Sequence, residues 1–315
     1  MTHRIFLVNR QSPGDILMLT AAVRDLKRIR PDYSINVSTT AQELWNHNPN
    51  LDRTVTAGNA DRTIQMHYPA INSSNGGSCH FIHGFRMYLE EQLGLRIPPG
   101  EFRCDLHLSR HEQEDCRGRF GIPDGMPYWI VDAGIKSDFT AKFWGTSRYQ
   151  EVVDRTKDRI CWVQIGASEH LHKPLRNAVN LLGRTTIRDL VSLMYRADGV
   201  LTPVSFPMHL SRMPWFGHPN SDSRPCVVVA GSREPSVWEA YTCHRYLHNC
   251  GVLDCSRNGG CWKSRTVRLN DGDSKDQSLC LHPVRLEDGE WIPRCMEMIS
   301  VEEVVKNIGL YLENS

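Results

Sequence analysis

The chain has 315 residues and a mass of 36.0 kDa, and its 40% hydrophobic and 23% charged residues exclude a mainly disordered protein. Lysine and arginine number 37 against 36 aspartates and glutamates, so the net charge of +1 provides no overall basic field for nucleic acid. Because no apolar run approaches the roughly 20 residues of a membrane span and the run 5–8 is too short for a signal peptide, we expect a cytoplasmic protein without a transmembrane segment.

The first half of the chain alternates between strand and helix patterns. A short apolar run is followed by a turn at Pro13 and Gly14, and apolar residues then recur at three- and four-residue spacing until Pro31. This βαβ pattern predicts a Rossmann-like domain over residues 1–124. The predicted elements are strands over 4–9, 35–38 and 63–67, a helix that opens at Asp15, and a helix over 81–94.

The second half repeats the alternation after a segment rich in proline and glycine at 121–127. It predicts a second doubly wound α/β domain over residues 125–315, with a cysteine-rich segment over 243–295. The predicted elements are strands over 128–132, 160–164, 199–201 and 226–230, and helices over 146–158, 186–196 and 301–312, the last closing the chain.

Three turns at the carboxyl ends of predicted strands carry candidate chemistry, because ligands of open α/β sheets bind at that edge. Asp15 is either a general base or only a helix cap. Lys136 and Lys142 follow the strand 128–132 and either neutralise a phosphate or are solvated. Pro207 opens a helix whose free N–H groups either bind an anion or belong to an ordinary turn.

Taken in order, these segments resemble glycosyltransferase family 9, the ADP-heptose heptosyltransferases, over about residues 3–240. The residues that carry the resemblance are Gly14-Asp15-Ile16-Leu17, then Gly134, Lys142 and Trp144, then Val163-Gln164-Ile165-Gly166, then Leu182-Gly183-Arg184-Thr185-Thr186 leading to Leu190, then Ala197-Asp198, and Pro207-Met208-His209-Leu210.

The resemblance implies a GT-B fold, in which two Rossmann-like domains enclose a cleft. The first domain would hold the acceptor, the second would hold a nucleotide-sugar such as ADP-heptose, and the closing helix would cross back onto the first domain. Asp15 would be the base of an inverting transfer that needs no catalytic divalent metal. Donor-side residues would be Gly134, Lys142, Gln164, Gly166, Ser205, Pro207, Met208 and His209, and acceptor-side candidates are Gly14, His67, His80 and His83.

The sequence departs from the family pattern at one place. The family typically reads N-D-S-G-P-M-H-L, whereas residues 203–210 read P-V-S-F-P-M-H-L, with Val204 for aspartate and Phe206 for glycine. This departure motivates an alternative function, a non-catalytic metal-stapled binding or scaffold protein on a degenerate GT-B fold. A nucleotide-sugar epimerase is a weaker third hypothesis. The acceptor, whether glycan, protein or small molecule, and a homo-oligomer are left open.

Six of the 11 cysteines lie between Cys243 and Cys295, which in a reducing compartment favours a metal site over disulfides. The spacing Cys255-x5-Cys261-x18-Cys280-x14-Cys295 provides four thiolates for a structural zinc or iron ion. The autotransporter heptosyltransferases carry a four-cysteine iron finger that is similar in kind. Alternative ligands are Cys250, His244 and His248, and the alternative to a metal is a set of buried free thiols.

Overall fold

The computed structural model describes residues 3–68, 70–216 and 224–313. Within these ranges, the first half contains a three-stranded parallel sheet in the order β2-β1-β3. Its strands are β1 (Arg4–Asn9), β2 (Ser34–Thr39) and β3 (Arg62–Gln65), and its helices are α1 (Pro13–Ile29), α2 (Gly84–Leu93), α3 (Arg110–Gln113) and α4 (Arg117–Phe120).

The second half contains a six-stranded parallel sheet among the described residues. Its order, β6-β5-β4-β7-β8-β9, runs outward in both directions from the neighbours β4 and β7, as in a dinucleotide-binding Rossmann sheet. The strands are β4 (Tyr128–Val131), β5 (Cys161–Gln164), β6 (Ala178–Asn180), β7 (Gly199–Pro203), β8 (Cys226–Gly231) and β9 (Arg245–His248), and the helices are α5 (Thr146–Thr156), α6 (Ile187–Arg196), α7 (Phe206–Leu210) and α8 (Ser236–Glu239).

The cysteine-rich segment 243–295 is only partly separate from this sheet. Its first part forms β9, which pairs with β8 in parallel and so belongs to the main sheet. The rest contains an antiparallel hairpin and ends in a short helix, and the chain then closes in a longer one. These elements are β10 (Pro283–Arg285), β11 (Trp291–Pro293), α9 (Arg294–Glu297) and α10 (Val301–Leu312).

The expectation that the closing helix crosses back onto the first domain is wrong. Val304 and Ile308 of α10 are buried with Trp129 and Trp162 on one face of the second sheet. The helix packs on α5 and β8, where apolar side chains of the same half cover its own apolar stripe. Among the described residues, no helix has both the length and the apolar character to cross a membrane.

Candidate active site

The start of α1 places a carboxylate at the carboxyl edge of the first sheet. Proline is favoured in the first helical turn, and Pro13 follows the N-cap residue Ser12. The Oδ2 atom of Asp15 accepts a hydrogen bond of 2.8 Å from the Ser12 backbone amide, which fixes the carboxylate at the helix end. Burial raises the pKa of Asp15 to about 6, against the lowering effects of the Ser12 amide and of the charges of Lys142 and Lys136.

The two halves of the chain meet where α1 begins. A β-carbon on Gly14 would lie 3.5 Å from Cδ2 of His209 and 3.9 Å from Cα of Phe206, so this turn is in van der Waals contact with α7. Asp15 therefore lies at the contact between the first half and the predicted donor-binding helix. Lys142 is tied to the same contact, because its ammonium donates at 3.1 Å to the carbonyl oxygen of Val204, two residues before Phe206.

A second carboxylate, Asp132, lies where the strand order of the second sheet reverses, between β4 and β7. It follows β4, and its Oδ2 atom accepts a hydrogen bond of 2.8 Å from Oγ of Ser205, which follows β7. Burial raises the pKa of Asp132 to about 6, although the Ser205 hydroxyl and the Gly134 amide favour the charged form. Sequence reasoning selected Ser205 and Gly134 but not Asp132, whose position directly after an apolar strand was the available signal.

Lys142 is held by groups of the second half. Its Nζ atom lies 2.7 Å from Oε1 of Glu234 and 3.1 Å from the carbonyl oxygen of Val204. Glu234 is buried and also pairs with Arg233. Burial alone would raise the pKa of Glu234, but the positive charges of Arg233 and Lys142 hold it below its usual value. Glu239 is buried near Glu234. Burial and the negative charge of Glu234 both raise the pKa of Glu239 well above its usual value.

The two glycines predicted on the donor side enclose a histidine. A β-carbon on Gly134 would lie 2.0 Å from Nδ1 of His172, and one on Gly166 would lie 2.3 Å from Cε1 of the same ring. The imidazole thus fills the space that both glycines leave open. Burial, with a smaller contribution from His170, lowers the pKa of His172 to about 4, so the ring is neutral at pH 7. A ligand that reached both glycines from this side would displace the His172 ring.

Gln164, another predicted donor-side residue, is fully buried. Its amide nitrogen donates to the carbonyl oxygen of Lys173 at 2.9 Å, and its amide oxygen accepts from the backbone N–H of Leu175 at 2.7 Å. These contacts shape the loop that carries His172, so the Gln164 side chain is committed to the protein rather than open to a ligand.

The side chains of Pro207 to Leu210 in α7 are also buried. Pro207 and Met208 pack in the core, so a ligand would meet the backbone of this segment rather than those side chains. Nδ1 of the buried His209 lies 3.0 Å from the hydroxyl of Tyr241, and Nε2 lies 3.4 Å from Oε2 of Glu239. Burial and nearby positive charge lower the pKa of His209 well below its usual value.

The three acceptor-side histidines do not form one cluster. His80 is buried, and its ring centroid lies 4.6 Å from that of Tyr241, close to His209. Its Nε2 atom has no hydrogen-bond partner among the described residues, and burial lowers its pKa to about 4. His83 is half-buried against Phe102, whereas His67 is exposed and lies edge-on to Tyr88. Only His80 lies beside the contact of α1 with α7.

The four cysteines predicted as metal ligands line one small cavity. Cys255, Cys261, Cys280 and Cys295 converge there from segments far apart in sequence. The backbone N–H of His282 donates to Sγ of Cys280 at 3.4 Å, a contact of the kind that orients thiolate ligands. Four thiolates are the donor set that structural zinc and iron sites use, although among the described residues no three of these sulfurs lie within 4.8 Å of one another.

The structure adds Asp254 and His282 as potential metal ligands and places Cys250 away from the cysteine cavity. Single ligand atoms of Asp254, Cys255 and His282 lie within 4.8 Å of one another, and the Asp254 Oδ1 and His282 Nε2 atoms are 2.6 Å apart. Both residues lie within two positions of a predicted ligand, which was the sequence signal that was missed. The thiol of Cys250 instead donates to the Glu234 carbonyl oxygen at 3.1 Å, and Cys250 is not among the residues that line the described cavity.

Comparison with known proteins bears on this site. Residues 72–213 match the model of glycosyltransferase family 9 (heptosyltransferase). The resemblance to this family is confirmed. The same match confirms the prediction of a glycosyltransferase enzyme. No curated protein sequence matches the chain.

Solved structures of similar fold include a glycosyl transferase family 9 protein from Veillonella parvula, with a TM-score of 0.66 and 16% identity over 99% of this chain and 98% of that one. The ADP-heptose lps heptosyltransferase II of E. coli has a TM-score of 0.60 and 15% identity, with 99% of both chains covered. The iron-containing dodecameric glycosyltransferase TibC of enterotoxigenic E. coli has a TM-score of 0.61 and 14% identity over 99% of this chain and 78% of TibC. At these identities the similarity shows the fold, two parallel sheets of the GT-B type.

Proposed function

We propose that the chain transfers heptose from ADP-heptose to an acceptor hydroxyl, with Asp15 as general base and with inversion at the anomeric carbon. The observation that supports this proposal is the contact of the Asp15 turn with α7, where Gly14 packs on Phe206 and His209 and Lys142 donates to the preceding Val204 carbonyl oxygen. A base from one half and a cation from the other would then serve one site.

The chemistry assigned to this cleft is a single displacement. The acceptor oxygen attacks the anomeric carbon, the bond from that carbon to the phosphate oxygen breaks, and ADP leaves. The acceptor proton passes to Asp15, whose raised pKa of about 6 keeps it ionised at pH 7 while making it more basic than an ordinary aspartate. Lys142 would offset the charge that develops on the departing phosphate.

The proposed donor rests on the family and on similar structures. It does not rest on residues of this chain that would recognise the adenine or the sugar. One similar structure is TibC in complex with ADP-D-beta-D-heptose, which has a TM-score of 0.60 and 16% identity. In this chain, position 204 still serves the donor side although its aspartate is replaced, because the Val204 carbonyl oxygen holds the Lys142 ammonium at 3.1 Å.

Transfer can be tested with labelled ADP-heptose and three classes of acceptor: heptose-free lipopolysaccharide core, serine-containing protein, and small hydroxyl compounds. We expect label in one class with the unaltered chain and a loss of at least about a hundredfold with Asp15→Asn, because a positioned base contributes about that much. Asparagine keeps an oxygen for the Ser12 amide, so this variant should fold and bind ADP as before. Full transfer by Asp15→Asn would exclude the mechanism.

We also propose that Cys255, Cys261, Cys280 and Cys295 hold one structural zinc or iron ion. The donor set and the shared cavity support this assignment, and four protein ligands would leave no open position for substrate. The bound ion would stabilise a segment that contains little regular secondary structure. TibC, which is described as iron-containing, makes iron the first metal to test.

A further inference from the structure

The loop that follows β8 contacts both the cysteine cavity and the donor lysine. Its three residues, Ser232, Arg233 and Glu234, are all at least nine-tenths buried, at the carboxyl edge of the second sheet. Each residue contacts the cysteine-rich segment, and the last also contacts Lys142. No part of the family resemblance selected these residues.

On one side, the loop is bonded to the backbone of the segment around Cys261. The Ser232 carbonyl oxygen accepts from the Cys261 N–H at 3.0 Å, and the Arg233 carbonyl oxygen accepts from the Trp262 N–H at 2.9 Å. A β-carbon on Gly260 would lie 2.4 Å from the Arg233 carbonyl oxygen, so only glycine permits this approach. A shift of the segment around Cys261 would therefore move the loop Ser232–Glu234 as well, because close-packed protein interiors are hardly compressible.

On the same side, the Arg233 side chain extends the contact. Its Nε atom donates to the Lys263 carbonyl oxygen at 2.7 Å, and the residue also lines the cysteine cavity. The guanidinium carbon lies 4.6 Å from the centroid of the Phe139 ring, over which the Lys142 ammonium also lies at 5.7 Å. Arg233 thus joins the cysteine-rich segment to the donor side.

On the other side, Glu234 fixes Lys142. Its Oε1 atom lies 2.7 Å from the Lys142 Nζ atom, and the same oxygen pairs with Arg233. The Lys142 side chain keeps 17% of its surface exposed, against 3% for Glu234, so the lysine is partly open to solvent while its partner is buried. The second carboxylate oxygen of Glu234 is buried and has no hydrogen-bond partner among the described groups.

We propose that Glu234 is the positioning residue of Lys142, and that the loop Ser232–Glu234 makes the donor lysine depend on an ordered cysteine-rich segment. Glu234 itself touches no substrate. The consequence for donor binding rests on the proposed function, whereas the constraint on Lys142 does not.

The constraint can be tested without a nucleotide by following reductive ¹³C-methylation of individual lysines by mass spectrometry on the full chain. In Glu234→Gln, we expect Lys142 to react about tenfold faster, since a charge-assisted hydrogen bond of this strength is lost. Arg233→Gln should raise the rate in the same direction, because Glu234 loses its partner Arg233, which is itself held by the Lys263 carbonyl oxygen.

The matched control is Glu290→Gln, which removes a carboxylate 2.6 Å from Lys173 in the same half. Its Lys142 rate should not change. If Glu234→Gln unfolds, Glu234→Asp keeps the charge on a shorter side chain and should give an intermediate rate. An unchanged Lys142 rate in folded Glu234 and Arg233 variants would overturn the proposal.

Binding titrations then separate this proposal from the proposed function. Glu234→Gln should weaken ADP about tenfold and leave adenosine unchanged, because Lys142 is assigned to phosphate. Equal weakening of ADP and adenosine would indicate general damage and overturn the positioning role. If methylation responds as expected but ADP does not bind the unaltered chain, Glu234 still positions Lys142 and the assigned donor site is wrong.

Discussion

At the scale of single residues, Asp15 combines a structural and a proposed chemical role. Its carboxylate satisfies the Ser12 amide at the start of α1, and its burial raises its pKa to about 6. One position can serve both roles, because a helix that begins at the carboxyl edge of a parallel sheet lies where ligands of such sheets bind.

The raised pKa of Asp15 predicts the pH dependence of transfer. A base must be unprotonated, so kcat/KM should rise as pH increases through about 6 and level off above it. Lys142→Ala should move this limb to higher pH, since the Lys142 charge lowers the pKa of Asp15. The measurement is the initial rate against pH with the acceptor well below its KM. A limb near pH 4, or no limb, would contradict the assignment of Asp15.

At this scale, motifs could be predicted from the sequence, whereas contacts between distant residues could not. The turn before Asp15 and the Lys142 element could be selected because each directly follows a recognisable strand. Glu234 could not, because its role depends on a contact with Lys142 that only the folded chain creates. Gln164 matched a family segment, yet its side chain is used to shape a loop.

At the scale of elements, apolar runs predicted the central strands and periodicity predicted the long helices. The strand β6 was missed because it has three residues at a sheet edge, and β9 because it lies in a segment selected for its cysteines. Long-range pairing with β8, rather than local pattern, makes β9 a strand. The four cysteines line one cavity, but among the described residues only Cys255 groups closely with other potential ligands, so a four-cysteine metal site stays a proposal.

The cysteine-rich segment should depend on its ion for stability. A strong chelator should lower the thermal midpoint by about 10 °C or more, because structural thiolate sites contribute several kcal/mol to folding. Elemental analysis should find one zinc or iron per chain, lost in Cys261→Ser and kept in the control Cys250→Ser. Chains without stoichiometric metal, or with an unchanged midpoint after chelation, would exclude a structural ion.

At the scale of the whole molecule, the carboxyl edges of two parallel sheets meet where α1 contacts α7. The first half contributes Asp15 at this contact, and the second contributes Lys142, whose ammonium donates to the Val204 carbonyl oxygen just before α7. Alternating patterns were sufficient to predict a mixed α/β fold with parallel sheets. The path of the closing helix was not predictable, because its apolar stripe is equally suited to either domain and only packing against α5 and β8 decides.

The most direct test of the central claim is a calorimetric titration of the purified chain with ADP, UDP and GDP. We predict that ADP binds most tightly and that Lys142→Ala weakens ADP by about tenfold to a hundredfold, the effect of one charge-assisted hydrogen bond. The control Lys173→Ala, which removes an exposed lysine paired with Glu290, should bind ADP unchanged. No binding of any nucleotide, or equal ADP affinity in the two lysine variants, would contradict a donor site at Lys142.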